Sequence, residues 1–324
     1  MQRELIERAK QLLADGTVSR VMGWKAGEFG YDMTPAVFTS AEELEKDFRY
    51  DDFCEANLSK YMIKESRKEG KILVFLKPCD TYSFNELLKE HRILRENVYV
   101  IGVPCTGKVN ANAIRSRGIH GITGMSCDGE TVTVSTLYGE ETVPKNEVMA
   151  ERCQSCKSKK HVIYDELFGE EGDVTGAARF KMVEKLESMT PDQRFSFWRK
   201  ELSRCIRCNA CRNVCPACSC EKCVFDNDAS GVANKAAADS FEENMFHIIR
   251  AFHVAGRCTD CGECSRVCPQ NIPLHLLNRK FIKDINELYG EYQAGEDLET
   301  KCPLTDYTKD DAEPDIIYQR GGNR

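Results

Sequence analysis

The chain has 324 residues, enough for two ordinary domains and a tail, and its 41% hydrophobic and 30% charged residues predict a packed core rather than disorder. A formal net charge of −7 argues against nucleic-acid binding, which needs a basic face. No stretch approaches the roughly 20 apolar residues of a membrane helix, and the charged start shows no apolar signal region, so we expect a cytoplasmic protein without a membrane span.

The N-terminal half carries the signals of an α/β domain. Its predicted elements, in chain order, are a helix over 1–15, a strand over 18–22, a strand over 71–77, a helix over 82–94, a strand over 97–103 and a hairpin or edge strand after Cys127-Asp128-Gly129. The apolar runs KILVFLK and NVYVIGV flank the second helix, which predicts a β-α-β unit with parallel neighbouring strands. We therefore expect an α/β domain over residues 1–175.

The C-terminal half changes to helical patterns. Thr190-Pro191 is a helix start signal, because proline suits the first helical position, and this helix runs towards Cys205. Apolar periodicity predicts a second helix over 236–255, and no strand signal lies between 176 and 290. We expect a helical domain over residues 176–290.

An acidic tail is predicted over residues 291–324. Residues 291–315 hold nine Asp or Glu and two Lys. This composition favours a solvated tail, with a segment that folds on a partner as the alternative.

Cysteine is the unusual residue of this composition, with 18 in the chain. Cytoplasmic proteins seldom keep disulfides, so closely spaced cysteines there indicate metal binding. Because histidine is scarce, the pattern favours thiolate sites, either zinc or iron–sulfur. Two runs share the spacing C-x2-C-x2-C-x3-C-P, namely Cys205, Cys208, Cys211, Cys215, Pro216 and Cys258, Cys261, Cys264, Cys268, Pro269.

This spacing is that of the bacterial ferredoxin run, in which the fourth cysteine ligates the other cluster. Three thiolates at every third residue surround three corners of one cubane, and the fourth points away from it. The predicted ligands of one 4Fe-4S cluster are therefore Cys205, Cys208, Cys211 and Cys268. Those of the other cluster are Cys258, Cys261, Cys264 and Cys215. Structural zinc is the competing interpretation, but zinc usually takes C-x2-C pairs that close a tetrahedron.

The expected role of the two clusters is electron transfer. Thiolate-held cubanes cycle by one electron, and hydrogen bonds and burial set their potentials. Four arginines beside the ligands either offset the negative charge of the clusters or are ordinary surface residues, namely Arg207, Arg212, Arg257 and Arg266.

Three further cysteines follow the first run in CPACSCEKC, namely Cys218, Cys220 and Cys223. Three thiols within six residues predict a further metal centre, for which Cys302 or a cysteine of the α/β domain would supply the fourth ligand. The alternative is that some of them are buried free thiols close to a cluster.

The α/β domain has its own set of cysteines. Cys79, in KPCD, and Cys105, in GVPCTG, each follow one strand of the β-α-β unit. Parallel neighbours bring both to the carboxyl edge of the sheet, where α/β folds build their sites. With the C-x2-C pair Cys153 and Cys156, they are predicted to hold a third 4Fe-4S cluster. The alternative is a redox or zinc pair beside two unrelated cysteines.

The motifs KPCD and GVPCTG, with RCQSC downstream, resemble the beta-subunit family of hydrogenases and dehydrogenases that use the deazaflavin coenzyme F-420. The stretch FSFWRKELSRCIRCNACRNVCPACSCEKC resembles formate dehydrogenase or hydrogenase beta-type subunits linked to heterodisulfide reductase-like complexes. The wide separation of the two runs is similar to that in the helical ferredoxin domains of fumarate reductase and heterodisulfide reductase. The resemblance covers most of residues 18–275.

The resemblance implies an iron–sulfur, flavin-bearing subunit that passes electrons between a soluble two-electron carrier and a partner. Members that reduce the deazaflavin hold FAD with a Gly-rich loop near the start, and here this region is VMGWKAGEFGYD, without tandem glycines. No G-x-G-x-x-G fingerprint occurs, so nicotinamide binding is not expected.

We therefore expect an electron-relay subunit of an anaerobic oxidoreductase complex. It would act between a formate dehydrogenase or hydrogenase and a heterodisulfide reductase-like or ferredoxin partner. The alternative is a flavin-containing catalytic beta subunit, with FAD at the sheet edge beside Cys79.

Overall fold

The structure, a computed structural model, describes residues 1–172, 178–227 and 240–306. The helices are α1 Gln2–Ala14, α2 Ala41–Asp47, α3 Met62–Glu65, α4 Pro78–Lys89, α5 Ala111–Ser116, α6 Lys145–Val148, α7 Glu151–Gln154, α8 Lys181–Glu187, α9 Pro191–Leu202, α10 Ala210–Asn213, α11 Ser240–His253, α12 Glu263–Arg266 and α13 His275–Tyr289. The strands are β1 Arg20–Ala26, β2 Met33–Phe38, β3 Phe48–Arg49, β4 Ile72–Leu76, β5 Val98–Gly102, β6 Ile122–Asp128, β7 Thr131–Thr136, β8 Gly139–Pro144 and β9 Glu166–Leu167. None of the helices in these described ranges combines the length and the apolar content that a membrane crossing requires.

A mixed sheet forms the centre of the N-terminal region. Its order is β2-β1-β4-β5-β9, with β3 also paired to β1, and the neighbours β1, β4, β5 and β9 are parallel. Every residue of β4 is buried, as expected for a strand with parallel neighbours on both sides. The predicted β-α-β unit is confirmed, because β4 and β5 pair in parallel from Ile72 with Val98 to Leu76 with Gly102.

The helix between these two strands starts earlier than predicted. It begins at Pro78 rather than at residue 82, because proline suits the first turn and the Asp80 carboxylate accepts the backbone N–H of Lys77. It ends at Lys89, short of the predicted residue 94, and His91 then takes a left-handed φ of +55°. Cys79 therefore lies in the first turn of α4.

Other boundaries in this region also differ from the predictions. The strand predicted over 18–22 lies later, since β1 spans Arg20–Ala26. The predicted hairpin is confirmed: β6 and β7 are antiparallel around Gly129, which has a φ of +61°. With β8 this hairpin forms a separate three-stranded sheet. The two-residue strand β9 was not predicted.

The described residues from 178 onward form helices and loops and contain no strand. Helix α9 starts as predicted with a capping box: the Thr190 hydroxyl accepts the Gln193 N–H at 3.3 Å, and the Gln193 side chain accepts the Thr190 N–H at 3.0 Å. Helix α11 covers most of the helix predicted over 236–255, whose first four residues lie outside the described residues.

The described part of the predicted tail, residues 291–306, packs against the fold. The Tyr292 hydroxyl donates to the Gly256 carbonyl at 2.9 Å, and Ala294 and Cys302 are buried. Gly295 lies so close to α4 that an added Cβ would be 1.9 Å from the Tyr82 carbonyl oxygen. The expectation of a solvated tail is therefore wrong for this part, and residues 307–324 lie outside the described residues.

Candidate metal centres

The two ferredoxin runs adopt the same backbone conformation. The residue two positions after the first cysteine of each run is left-handed, with a φ of +54° at Arg207 and +58° at Asp260. The residue four positions after that cysteine is also left-handed, with +60° at Asn209 and +70° at Gly262. Each run then enters a one-turn helix, α10 or α12. This alternation curls the chain, so that the three cysteines of a run can surround one centre.

The first run encloses a cavity together with the end of the second run. The thiols that line it are those predicted to share one cluster, namely Cys205, Cys208, Cys211 and Cys268. The tertiary structure therefore brings Cys268, the fourth cysteine of the second run, to the first three cysteines of the first run. Two backbone amides donate to these sulfur atoms: Arg207 N lies 3.4 Å from Cys205 Sγ, and Ile272 N lies 3.5 Å from Cys268 Sγ. Such bonds are among the factors that set a cluster's potential.

The second set of thiols surrounds Cys215. This residue of the first run interacts electrostatically with three cysteines of the second run, Cys258, Cys261 and Cys264. Burial raises the pKa of all three thiols, to about 12 for Cys261, so without a bound cation they stay protonated. Thiols of this kind suit metal ligation, in which a cation displaces the protons, better than nucleophilic chemistry.

Buried polar side chains near these two thiol sets indicate which kind of group binds there. Arg250 on α11 is 2% exposed, and none of its guanidinium nitrogens bonds a carboxylate or carbonyl oxygen of the described residues. It interacts electrostatically with Cys264, Cys211 and Cys215, and therefore with thiols of both sets. His247, one turn earlier, lines the first cavity, and within the described part of the chain both its ring nitrogens lack partners. Anionic iron–sulfur clusters would supply the missing acceptors, so the residues fit 4Fe-4S clusters.

The four arginines identified in the sequence differ from Arg250 because each has a carboxylate or an aromatic ring as a partner. Three of them pair with carboxylates, namely Arg212 with Asp226 at 2.9 Å, Arg257 with Glu90 at 2.5 Å and Arg266 with Glu263 at 2.7 Å. The fourth, Arg207, stacks on the Phe246 ring at 4.0 Å from the centroid. Sequence reasoning missed Arg250, because it lies opposite the apolar residues Met245, Ile248 and Phe252 of the helix, where a charged residue is expected to face solvent.

The α/β region brings its four predicted cysteines to one cavity. Cys79 in the first turn of α4, Cys105 beyond β5, and the pair Cys153 and Cys156 all line it. Cys79 and Cys105 meet because β4 and β5 are parallel and end at the same sheet edge. Burial raises the pKa of Cys79 well above its ordinary value, and the Asp80 carboxylate raises it further. Four converging thiols suit a third cubane, and ligation by them stays a prediction.

The second ferredoxin run forms another wall of this cavity. Asp260 and Cys261 line it beside the four thiols. Asp260 is held by two buried ion pairs, with its Oδ2 at 2.9 Å from Arg179 Nε and its Oδ1 at 3.0 Å from Arg279 Nε. Burial opposes ionisation of this carboxyl, but Arg279, Arg179 and Lys157 together lower the pKa of Asp260 well below its usual range. A predicted ligand of the second cluster, Cys261, thus borders the third thiol set.

Known proteins resemble the chain over most of its length. Residues 201–272 match the 4Fe-4S dicluster domain family. The chain is 26% identical to the F-420-dependent formate dehydrogenase subunit beta of Methanocaldococcus jannaschii, over 87% of this chain and 88% of that protein. It is also 26% identical to the F-420-dependent formate dehydrogenase 1 subunit beta of Methanococcus maripaludis, over 91% of each. The chain is thus similar, over most of its length, to beta subunits of F-420-dependent formate dehydrogenases. The resemblance predicted from the cysteine motifs is therefore confirmed.

The chain is an iron–sulfur electron-transfer protein. Its dicluster domain, at residues 201–272, contains both ferredoxin runs. A solved structure of the F-420-reducing NiFe hydrogenase complex from Methanosarcina barkeri has a chain with 13% identity and a TM-score of 0.37, covering 62% of this chain and 86% of that one.

The three extra cysteines that follow the first run lie together. Cys218, Cys220 and Cys223 line a cavity of about 650 Å³, and among the described residues no cysteine of the α/β region lines it with them. Cys302 lies elsewhere, with its Sγ 2.1 Å from where a Cβ of Gly256 would be. The Cys218 thiol hydrogen-bonds to Cys215, which lowers the pKa of Cys215. A further centre here stays a prediction, without a fourth cysteine in the described cavity wall.

Two other cysteines lie outside the predicted cluster sites. Cys54 is buried, with its Sγ 3.7 Å from the Arg49 carbonyl oxygen, and Cys127 lies in the hairpin strand β6. Within the described ranges, no group of three or more Cys, His, Asp or Glu converges tightly enough to hold a single metal ion.

The glycines of VMGWKAGEFGYD lie in and around a β-hairpin. Gly23 belongs to β1, and Gly27 and Gly30 lie between β1 and β2. A pyrophosphate typically binds where a Gly-rich turn opens a helix N-terminus, whereas here a strand leads into a strand. A Cβ on Gly23 would lie 2.5 Å from a ring atom of Phe48, so this glycine is needed for packing. The hairpin does not fit the pyrophosphate of FAD.

Proposed function

We propose that this chain is the electron-relay subunit of an anaerobic oxidoreductase complex of the formate dehydrogenase or hydrogenase class. Its curated relatives are named as formate dehydrogenase beta subunits, which supports a place in such a complex. It passes single electrons between a dehydrogenase or hydrogenase partner and a heterodisulfide reductase-like or ferredoxin partner.

Three 4Fe-4S clusters form the relay in this proposal. Their ligand sets are Cys205, Cys208, Cys211 and Cys268; Cys258, Cys261, Cys264 and Cys215; and Cys79, Cys105, Cys153 and Cys156. The last set belongs to an α/β domain over 1–175, and the first two belong to a helical domain over 176–290. Cys218, Cys220 and Cys223 offer thiols of the same kind outside these three sets, and iron in excess of the three cubanes would be assigned to them.

The main support for the proposal is that the second ferredoxin run and the cysteines of the α/β region line the same cavity. Cys261, a ligand of the second cluster, lines the cavity of Cys79, Cys105 and their two partners. Cys211 and Cys264, from the first and second sets, both interact with the same buried guanidinium of Arg250. The three thiol sets therefore follow one another through the molecule, as an electron relay requires.

One end of this relay reaches the protein surface. Cys208, in the first set, is exposed, and its neighbour Ile206 is 60% exposed. Cys79, in the set at the other end, lies at the sheet edge, in the first turn of α4. We infer that electrons enter and leave at these two ends, one partner at each.

The test is anaerobic purification of the full chain with iron, acid-labile sulfide and flavin counted per chain. About 12 irons are expected, four for each of three cubanes. The Cys79→Ala variant should keep about eight irons. Cys127→Ala, which removes a cysteine of the hairpin, should keep all of them and is the matched control.

Other iron, zinc or flavin contents would change or overturn the proposal. About eight irons in the unaltered chain would remove the α/β cluster from the proposal, and zinc without sulfide would overturn the proposal altogether. Flavin released by heat from desalted protein would favour the catalytic flavoprotein alternative.

A further inference from the structure

Helix α11 runs beside both ferredoxin sites and carries two buried polar residues, His247 and Arg250. His247 and Arg250 are three residues apart, so they lie on the same face of the helix. Their exposed fractions are 1% and 2%, although the same helix exposes Phe252 by 62% and Ile248 by 43%. Apolar side chains thus face solvent while the two polar side chains are buried, which indicates a specific role for the polar pair.

Arg250 lacks the partners that a buried arginine normally has. Among the described residues its three guanidinium nitrogens bond no carboxylate or carbonyl oxygen, and a side chain that interacts with them is the Cys264 thiol, whereas the similarly buried Arg279 bonds Asp260, Ser155 and the Arg179 carbonyl. An unpaired buried charge is strongly destabilising, so a counter-charge must be supplied. Arg250 interacts electrostatically with thiols from both sets, Cys211 and Cys264, and it also lines the cavity of Cys218.

The neighbours of His247 belong to one of the two cluster sites. It lines the cavity of Cys205, Cys208, Cys211 and Cys268, and both its ring nitrogens lack partners within the described part of the chain. Its ring packs against Phe246, with the ring centroids 5.0 Å apart. It therefore faces the first cluster site.

We propose that α11 sets the reduction potentials of the two ferredoxin clusters, with Arg250 acting on both clusters and His247 on the one held by Cys205, Cys208, Cys211 and Cys268. This inference rests on the cluster ligation proposed above. Reduction adds negative charge to a cluster, so a buried cation or N–H donor beside it favours the reduced form and raises the potential. The shared guanidinium also reduces the repulsion between the two negatively charged clusters, because it interacts with ligands of both.

The test uses the full chain, purified anaerobically, with potentiometric EPR titration of each cluster and iron counted in every variant. Arg250→Met removes the charge at similar volume and should lower both potentials, with at least a tenfold change in each reduced-to-oxidised ratio, about 59 mV for a one-electron couple. His247→Leu should lower the potential of the first cluster and leave the second unchanged.

Lys280→Met is the matched control, because it also removes one positive charge but from a side chain that is 44% exposed. Should Arg250→Met fail to retain iron, Arg250→Gln replaces it with the same expected direction. Full iron with potentials equal to those of the control would overturn the inference and leave the proposed relay intact. Absence of clusters from the unaltered chain would instead overturn the proposed relay itself.

Discussion

The hydroxyls of Ser83 and Thr259 share a buried hydrogen bond of 2.8 Å across 176 residues of sequence. Ser83 is on α4, the helix that carries Cys79, and Thr259 lies between Cys258 and Cys261 of the second run. The bond therefore ties the α/β thiol set to the ferredoxin run that borders it. Asn57 extends the contact by donating to the Ser83 hydroxyl at 3.0 Å.

We predict that this bond couples the two parts of the molecule. Ser83→Ala and Thr259→Val should each cost about 1–3 kcal/mol, because each leaves a buried polar partner unsatisfied. A double-mutant cycle, measured from urea midpoints of iron-loaded protein, should give a coupling of about 0.5–1.5 kcal/mol. Strict additivity of the two changes would contradict this prediction.

The exchange of fourth ligands between the two runs predicts a pattern of EPR spectra. Cys268→Ala should lose the same signal as Cys205→Ala, and Cys215→Ala the same signal as Cys258→Ala. The reason is that Cys268 lines the cavity of the first run, whereas Cys215 interacts with the cysteines of the second. If each run held its own cluster, Cys215→Ala would instead resemble Cys205→Ala.

We expect Asp260 to stabilise the fold through its ion pairs, without binding a metal itself. Asp260→Asn leaves Arg179 and Arg279 without their shared carboxylate, and the side chains of Asp260 and Arg279 are 3% and 1% exposed. Loss of one member of a buried charge cluster should cost about 3–5 kcal/mol. Asp306→Asn, at an exposed ion pair with Lys301, should cost no more than about 1 kcal/mol in the same denaturation assay.

The packing of the C-terminal segment on α4 depends on one glycine. Gly295 has a φ of +74°, and a Cβ there would lie 1.9 Å from the Tyr82 carbonyl oxygen. Gly295→Ala should therefore cost more than about 1 kcal/mol and expose the segment to limited proteolysis. Gly30→Ala, where no atom lies within 4 Å of an added Cβ, should digest like the unaltered chain. Equal digestion of both variants would refute this view of the segment.

The sequence by itself determined the parts of this protein that depend on local spacing. Thr190-Pro191 predicted the start of α9, and the two apolar runs predicted the parallel pair β4 and β5. These are short-range rules of capping, periodicity and strand order, and for that reason they can be read along the chain. The two C-x2-C-x2-C-x3-C-P runs predicted the dicluster domain for the same reason.

Only the tertiary structure decided what depends on neighbours far apart in sequence. It buried Arg250 where it interacts with thiols of both sets, brought Cys261 to the wall of the α/β cavity, and packed Tyr292 and Ala294 where a solvated tail was expected. Burial and the loss of hydrogen-bond partners arise from the surrounding fold, so a residue such as Arg250 looks like any helical arginine until its environment is known.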